Sequence, residues 1–90
     1  MEPFYFRSYD KVIGSARNVE ELYALMVKIE KTDPASLSYH LKSGHISAWL
    51  AYINKKQLAN KLKKTTDTTM AISIVGDYLS KHNKNKALNK

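Results

Sequence analysis

Ninety residues, 43% of them hydrophobic and none of them cysteine, make one domain at most and exclude a disulfide scaffold or a cysteine-based zinc site. The formal net charge of +7 is lopsided: residues 1–51 set six Lys/Arg against six Asp/Glu, while residues 52–90 hold nine Lys and two Asp. A domain this small buries only about 60% of its unfolded surface, which leaves little volume for a core plus a deep substrate cavity and weighs against an enzyme. The start, "MEPFYFRSYD", carries early charges and no apolar run of the signal-peptide kind. No apolar run approaches the roughly 18 residues that cross a bilayer. The expected location is cytoplasmic, with no membrane partner.

In chain order, "FYFRS" (4–8) alternates and is aromatic-rich, as a half-buried strand is. Phe4 and Phe6 share one face; Tyr5 and Arg7 share the other. "SYDK" reads as a turn and "VIGSA" (12–16) as a second strand. A lone hairpin is marginal in water, so this one must lie on helices. Asn18, with Glu21 three residues on, is a capping-box-like helix start. Leu22, Leu25, Met26 and Ile29 make its apolar stripe. "TDP" closes that helix, and Asp33 with Pro34 opens the next. The second helix carries Leu37, Tyr39, His40 and Leu41, and Gly44 suits its C-terminal cap.

"HISAWLAYI" (45–53) follows. Seven of the eight residues from Ile46 to Ile53 are apolar or aromatic, so burial on most sides is expected. "NKKQLANKLKK" continues as a basic helix. Leu58 and Leu62 point inward, while Lys56, Asn60, Lys63 and Lys64 fall on another face. Thr66 or Asp67 can cap a last helix running to about His82, with Ala71, Ile74, Val75, Tyr78 and Leu79 as its stripe. The alternation in "MAISIV" keeps a strand open there, but helix is the preferred reading. The expectation is an α+β, α-dominant fold, a short N-terminal β-hairpin packed on about four helices. Residues 1–82 form the single domain and residues 83–90 a flexible basic tail.

Four constellations were weighed for chemistry. The segment from Pro34 to Ile53 has the outline of a helix-turn-helix, but a recognition helix needs exposed polar side chains. Ser47 is the one clear polar residue from Ile46 to Ile53. His40 and His45 are five apart across a turn, whereas helical metal pairs sit three or four apart. No carboxylate lies between residues 34 and 66. No metal and no cofactor are therefore expected. Ser36, Ser38, Ser43 and Ser47 surround the two histidines, but small polar residues are ordinary at helix ends and turns. No Gly-rich phosphate loop is present and no carboxylates pair for acid–base work. Phe4, Phe6 and Trp49 read as core, while Tyr5, Tyr9 and Tyr52 could face outward. Lys55, Lys56, Lys61, Lys63 and Lys64 are candidate polyanion contacts. All are Lys, not Arg, which disfavours base-specific readout.

"FYF", "IGSARNVEELY", "SLSYHLKSGHISAWL" and "QLANKL" together resemble a small prokaryotic domain family of unknown function, found in archaea and bacteria. The matching positions are Phe4, Phe6, Gly14, Ala16, Asn18, Glu21, Leu22, Tyr39, His40, Gly44, Ser47, Trp49, Leu58 and Ala59, and the likeness spans residues 4–64. The family usually has an acid after the corner glycine, where this chain has His45. A histidine caps a helix start poorly, so any role of that acid does not carry over. The resemblance implies no catalytic activity. The family also occurs as a module inside larger proteins, which fits a binding or regulatory part. It marks Tyr39, His40, Gly44 and Trp49 as candidate ligand contacts.

"SYHLKSGHISAWL" thus reads as a helix–glycine–helix corner, with Trp49 and Tyr39 locking it and His40 bonded to backbone or a hydroxyl. The leading expectation for function is a non-enzymatic interaction or regulatory module with a protein partner. The alternative is a nonspecific nucleic-acid binder working through the basic C-terminal half.

Overall fold

The first strand carries Phe4 and Phe6 inward and Tyr5 outward because alternate side chains point to opposite faces. In the computed structural model, which describes residues 2–88 with side chains through Lys81, β1 (Phe4–Ser8) pairs antiparallel with β2 (Lys11–Ala16). The side chains of residues 82–90 lie outside the described part, as do Met1, Asn89 and Lys90 altogether. Phe4 and Phe6 are buried and meet edge to face, with ring centroids 4.8 Å apart. The register pairs Phe6 with Gly14 but Arg7 with Val12, so Ile13 is an extra residue, a bulge in β2. Tyr9 and Asp10 make the turn. Tyr9 takes φ +59, the positive value that two-residue hairpin turns favour, although bulky side chains seldom adopt it.

Local capping then sets the helix boundaries. Asn18 Oδ1 accepts the Glu21 N–H at 2.8 Å and opens α1 (Val19–Thr32). The Glu21 carboxylate reaches back to the N–H of Arg17 at 2.8 Å, one residue earlier than in the standard box. Val19, Leu22, Met26 and Ile29 form its buried face. That face runs close to β2: a Cβ at Gly14 would sit 2.7 Å from Leu25 Cδ2, so glycine permits the approach. Asp33 serves both neighbours. Its N–H donates to the Ile29 carbonyl, and its Oδ1 accepts the Ser36 N–H, starting α2 (Pro34–Lys42).

Gly44 takes φ +78 between α2 and α3 (His45–Tyr52), as its C-terminal-cap reading requires. Its N–H donates to the Leu41 carbonyl, and its own carbonyl accepts from the Ala48 N–H. Within α3 the burial is one-sided. Ile46, Trp49 and Leu50 are buried, but Ala48, Ala51 and Tyr52 are exposed. This corrects the expectation of burial on most sides: an eight-residue helix at the edge of a small domain has only one neighbour-facing side.

The basic segment does not continue α3. Asn54 takes φ +67, its N–H donates to the Ala51 carbonyl, and the Lys55 N–H donates to the Leu50 carbonyl at 2.8 Å. Those paired bonds form a Schellman motif, which stops α3 and lets α4 (Lys56–Lys63) start in a new direction. Among the described residues five helices therefore follow the hairpin, where about four were expected, and the fold is α-dominant α+β. In α5 (Thr68–Leu88) Asp67 Oδ1 accepts the Thr69 N–H at 2.9 Å. Residues 68–75 are helical, and the helix passes His82 into the stretch expected as a tail. The expected flexibility of the basic tail, residues 83–90, lies outside the described side chains.

Hairpin and helices meet around a shared core. β2 and α5 lie against α1, β1 lies on α2, and α3 and α4 pack on each other. Leu22, Met26, Leu37, Ile46, Leu50, Leu58, Leu62, Ala71 and Val75 fill the space between them. Among the described residues no helix is long and apolar enough to cross a membrane.

Gly44→Ala should cost about 1–2 kcal/mol, the penalty of a left-handed conformation for an L-residue. For a domain of this size each kcal/mol lowers Tm by about 4–8 °C. Asn54→Gly should leave Tm unchanged or raise it, because glycine takes the same conformation without that penalty. Thermal unfolding followed by circular dichroism measures both.

Candidate functional site

A two-stranded hairpin leaves one edge of each strand without a strand partner, and buried backbone groups there need hydrogen bonds. At Arg7 in β1, α2 supplies them. The Arg7 N–H donates to His40 Nε2 at 2.9 Å, and the Arg7 carbonyl accepts from Ser36 Oγ at 2.8 Å. His40 Nε2 also lies 3.0 Å from that carbonyl. Ser36 and His40 are four apart, hence on one helix face. They are the buried polar residues among those described, with His40 only 4% exposed. The His40 ring packs edge-on against Phe4 and Phe6. His40 is thus bonded to backbone, and Ser36 Oγ is turned to a carbonyl, not to a histidine.

Across the Gly44 corner, His40 Nδ1 lies 3.0 Å from His45 Nδ1. A hydrogen bond between two such nitrogens needs one proton between them. Two neutral arrangements satisfy the contact between the rings, and the first also gives the Arg7 N–H its acceptor. In one, His40 carries its proton on Nδ1, donates to His45 and accepts from the Arg7 N–H. In the other, His45 donates to His40, and His40 Nε2–H donates to the Arg7 carbonyl. Two imidazolium rings would set N–H against N–H. Burial lowers the His40 pKa below 6.5. The Arg7 carbonyl opposes that shift, and the charges of His45 and Arg7 reinforce it.

The pair forms the floor of a cleft of about 470 Å³ between the hairpin tip and α2. Arg7, Ser8 and Tyr9 line one wall; Asp33, Ala35, Ser36 and Tyr39 line the other. Tyr9 is 100% exposed at the rim. Tyr39, 60% exposed, meets both His40 and His45 edge-on, with centroids 5.3 and 5.6 Å away. Of the four residues marked by the family resemblance, Tyr39 and His40 line the cleft and Gly44 forms the corner beneath it. Trp49 does not join them. Its Nε1–H donates to the Glu2 carbonyl at 2.9 Å, its ring faces Phe4, and Tyr52 Oη accepts the Glu2 N–H. This corrects the expected lock. Trp49 and Tyr52 fasten the N-terminal segment to α3, while Tyr39 and the histidine pair hold the corner.

Composition did not mark Arg7, Tyr9, Asp33 or Ser36 as cleft residues. The one sequence signal for them was the four-residue spacing of Ser36 and His40. The histidine spacing of five gave no sign of a close pair, because Gly44 folds α3 back beside α2. Among the described residues no three His, Asp or Glu side chains gather as a metal site.

The five lysines occupy a separate element. Lys56, Lys61 and Lys63 lie within α4, and Lys55 and Lys64 cap its two ends. Leu58, Ala59 and Leu62 face the core; the remaining surface presents the lysines with Gln57 and Asn60, all exposed. No carboxylate forms an ion pair with any of these lysines among the described residues, where the recorded pair is Arg17 with Glu21.

The anchoring role of His40 has two measurable consequences. His40→Ala should destabilise the fold by about 2–4 kcal/mol in chemical denaturation, by removing ring packing and leaving the Arg7 N–H without its partner. His40 is held below its ordinary value of 6.5 in the folded state. Its contribution is therefore complete above the unfolded pKa and is lost as pH falls from about 6.5 toward the folded value. Stability measured across that range should drop on acidification in the parent protein, and less steeply in His40→Gln.

No family model, curated protein or solved structure matches the chain. The likeness to the prokaryotic domain therefore rests on the motifs quoted above.

Proposed function

We propose that the chain is a non-enzymatic binding module whose α4 surface engages the phosphate backbone of nucleic acid. The observation that carries this reading is the gathering of Lys55, Lys56, Lys61, Lys63 and Lys64 around one short helix, with no acid between residues 34 and 66 to neutralise them. Of the two expectations drawn from the sequence, a protein-binding module and a polyanion binder, this helix supplies specific chemistry for the second. A set of ammonium groups on a rigid support displaces counterions from phosphates. Lysine suits that task as a mobile point charge, without the forked geometry that reads guanine. Gln57 and Asn60 add amide groups suited to sugar and phosphate oxygens. The expected specificity is low.

Fluorescence anisotropy with a labelled mixed-sequence duplex and a labelled single-stranded RNA tests the proposal. Affinity should fall with salt, with a log–log slope of roughly −0.9 for each duplex phosphate neutralised. The triple variant Lys56→Glu, Lys61→Glu, Lys63→Glu should bind at least about tenfold more weakly. Its Tm should stay within about 3 °C of the parent, because all three side chains are solvent-facing. Affinity that ignores salt, or a triple variant that binds as the parent does, would overturn the reading.

A further inference from the structure

We infer that the cleft between the hairpin tip and α2 binds a nucleotide, stacking its base on Tyr9 and Tyr39 and holding its phosphate with Arg7 and His45. Tyr9 is the first sign. It occupies the hairpin turn at φ +59, where glycine or asparagine is the usual choice, and its side chain is fully exposed. A bulky residue in that conformation costs stability, and no packing within the domain returns it. Such a residue at the rim of a cleft points to a ligand. On the other wall, edge contacts with His40 and His45 orient the Tyr39 ring while most of it stays in solvent. Two tyrosine rings at one opening form a stacking platform that suits any nucleobase, because every base has a π face. The volume of about 470 Å³ falls within the range of small-molecule sites.

The polar groups of the cleft suit the rest of a nucleotide. The Arg7 N–H donates to His40 Nε2, so the His40 proton sits on Nδ1 and is given to His45 Nδ1. His45, accepting there, carries its own proton on Nε2. The chain of bonds from β1 thus sets an exposed N–H donor in the cleft lining. The Arg7 guanidinium has no carboxylate partner among the described residues, where the recorded ion pair is Arg17 with Glu21. Guanidinium and imidazole N–H groups are donors that phosphate oxygens accept. Asp33 is the one carboxylate among the lining residues. Its Oδ1 accepts the Ser36 N–H. The carboxylate turns a phosphate toward the Arg7 wall and has acceptor capacity left for an amino group of the base.

The site lies on β1, its turn, α2 and α3, whereas the lysines lie on α4 and its ends, so the two readings fail separately. A nucleotide reaches the cleft either free or as an unpaired base in a strand. A base stacked and paired in a duplex cannot enter.

Amide NMR of the labelled full chain tests the inference, with adenosine monophosphate, adenosine, inorganic phosphate and a short single-stranded oligoadenylate as ligands. Adenosine monophosphate should saturate one site, shift the amides of Ser8, Tyr9 and Tyr39, and bind more tightly than adenosine or phosphate. Tyr9→Gly should weaken it at least about fivefold, the loss of one base–aromatic stack. Its Tm should stay level or rise, because glycine takes the turn conformation without strain. Arg7→Gln keeps the main-chain bonds to α2 and should weaken adenosine monophosphate while leaving adenosine unchanged. The α4 triple variant should bind adenosine monophosphate as the parent does. In that variant, oligoadenylate tighter than the mononucleotide at the cleft amides identifies a strand as the source, and the reverse order identifies a free nucleotide. The inference is overturned by the absence of a saturable shift at these amides with millimolar ligand, or by phosphate binding as tightly as adenosine monophosphate. Parent-like binding in Tyr9→Gly, or loss of binding in the α4 variant, overturns it equally.

Discussion

The main-chain N–H and carbonyl of Arg7, satisfied by His40 and Ser36 from α2, tie the hairpin to the helices. Two strands alone bury too little to persist in water. Docking β1 on α2 sends Phe4 and Phe6 into the core, and the edge backbone that enters with them must find partners. A serine and a histidine one helical turn apart provide them where a third strand would otherwise lie. The same contact closes the β1 edge to strand addition at Arg7.

Much follows from that contact. It brings the strained turn at Tyr9 over the start of α2 and so creates the cleft. It buries a histidine that is favoured in its neutral form, and a neutral ring can share a proton with His45 across the glycine corner. The cleft is therefore polar at its floor and aromatic at its rim. Its chemistry comes from residues whose first duty is to tie the hairpin down. The lysine face answers to a different constraint. The Schellman turn at Asn54 reorients the chain so that Leu58, Ala59 and Leu62 reach the core, and every lysine on α4 is left in solvent.

Several features were legible in the residues because they are settled within a turn or two of chain. Asn18 and Asp33 as helix starts, Gly44 as a left-handed cap and the inward Phe4 and Phe6 all rest on spacings of two to four. The division of α3 from α4 was not legible. "AYINKKQ" holds no glycine or proline, and asparagine in a left-handed cap resembles asparagine on an exposed helix face. Trp49 was misplaced for a related reason. Its neighbours in sequence suggested the corner, but its partner is the Glu2 carbonyl, far away along the chain. Tyr39 looked like part of an apolar stripe, yet it faces the cleft with its ring against two histidines.

The sequence by itself determined the helical character, the capping residues, the core-facing aromatic strand and the concentration of lysine in the second half. Each depends on local periodicity or on composition. Only the tertiary structure decided which polar groups meet. His40 lies 33 residues from Arg7, and its approach to His45 depends on the angle at which α3 leaves Gly44. Composition carries no information about such an angle. It is set by how Ile46, Leu50 and Leu37 pack together, and that packing turns two unremarkable histidines into a pair.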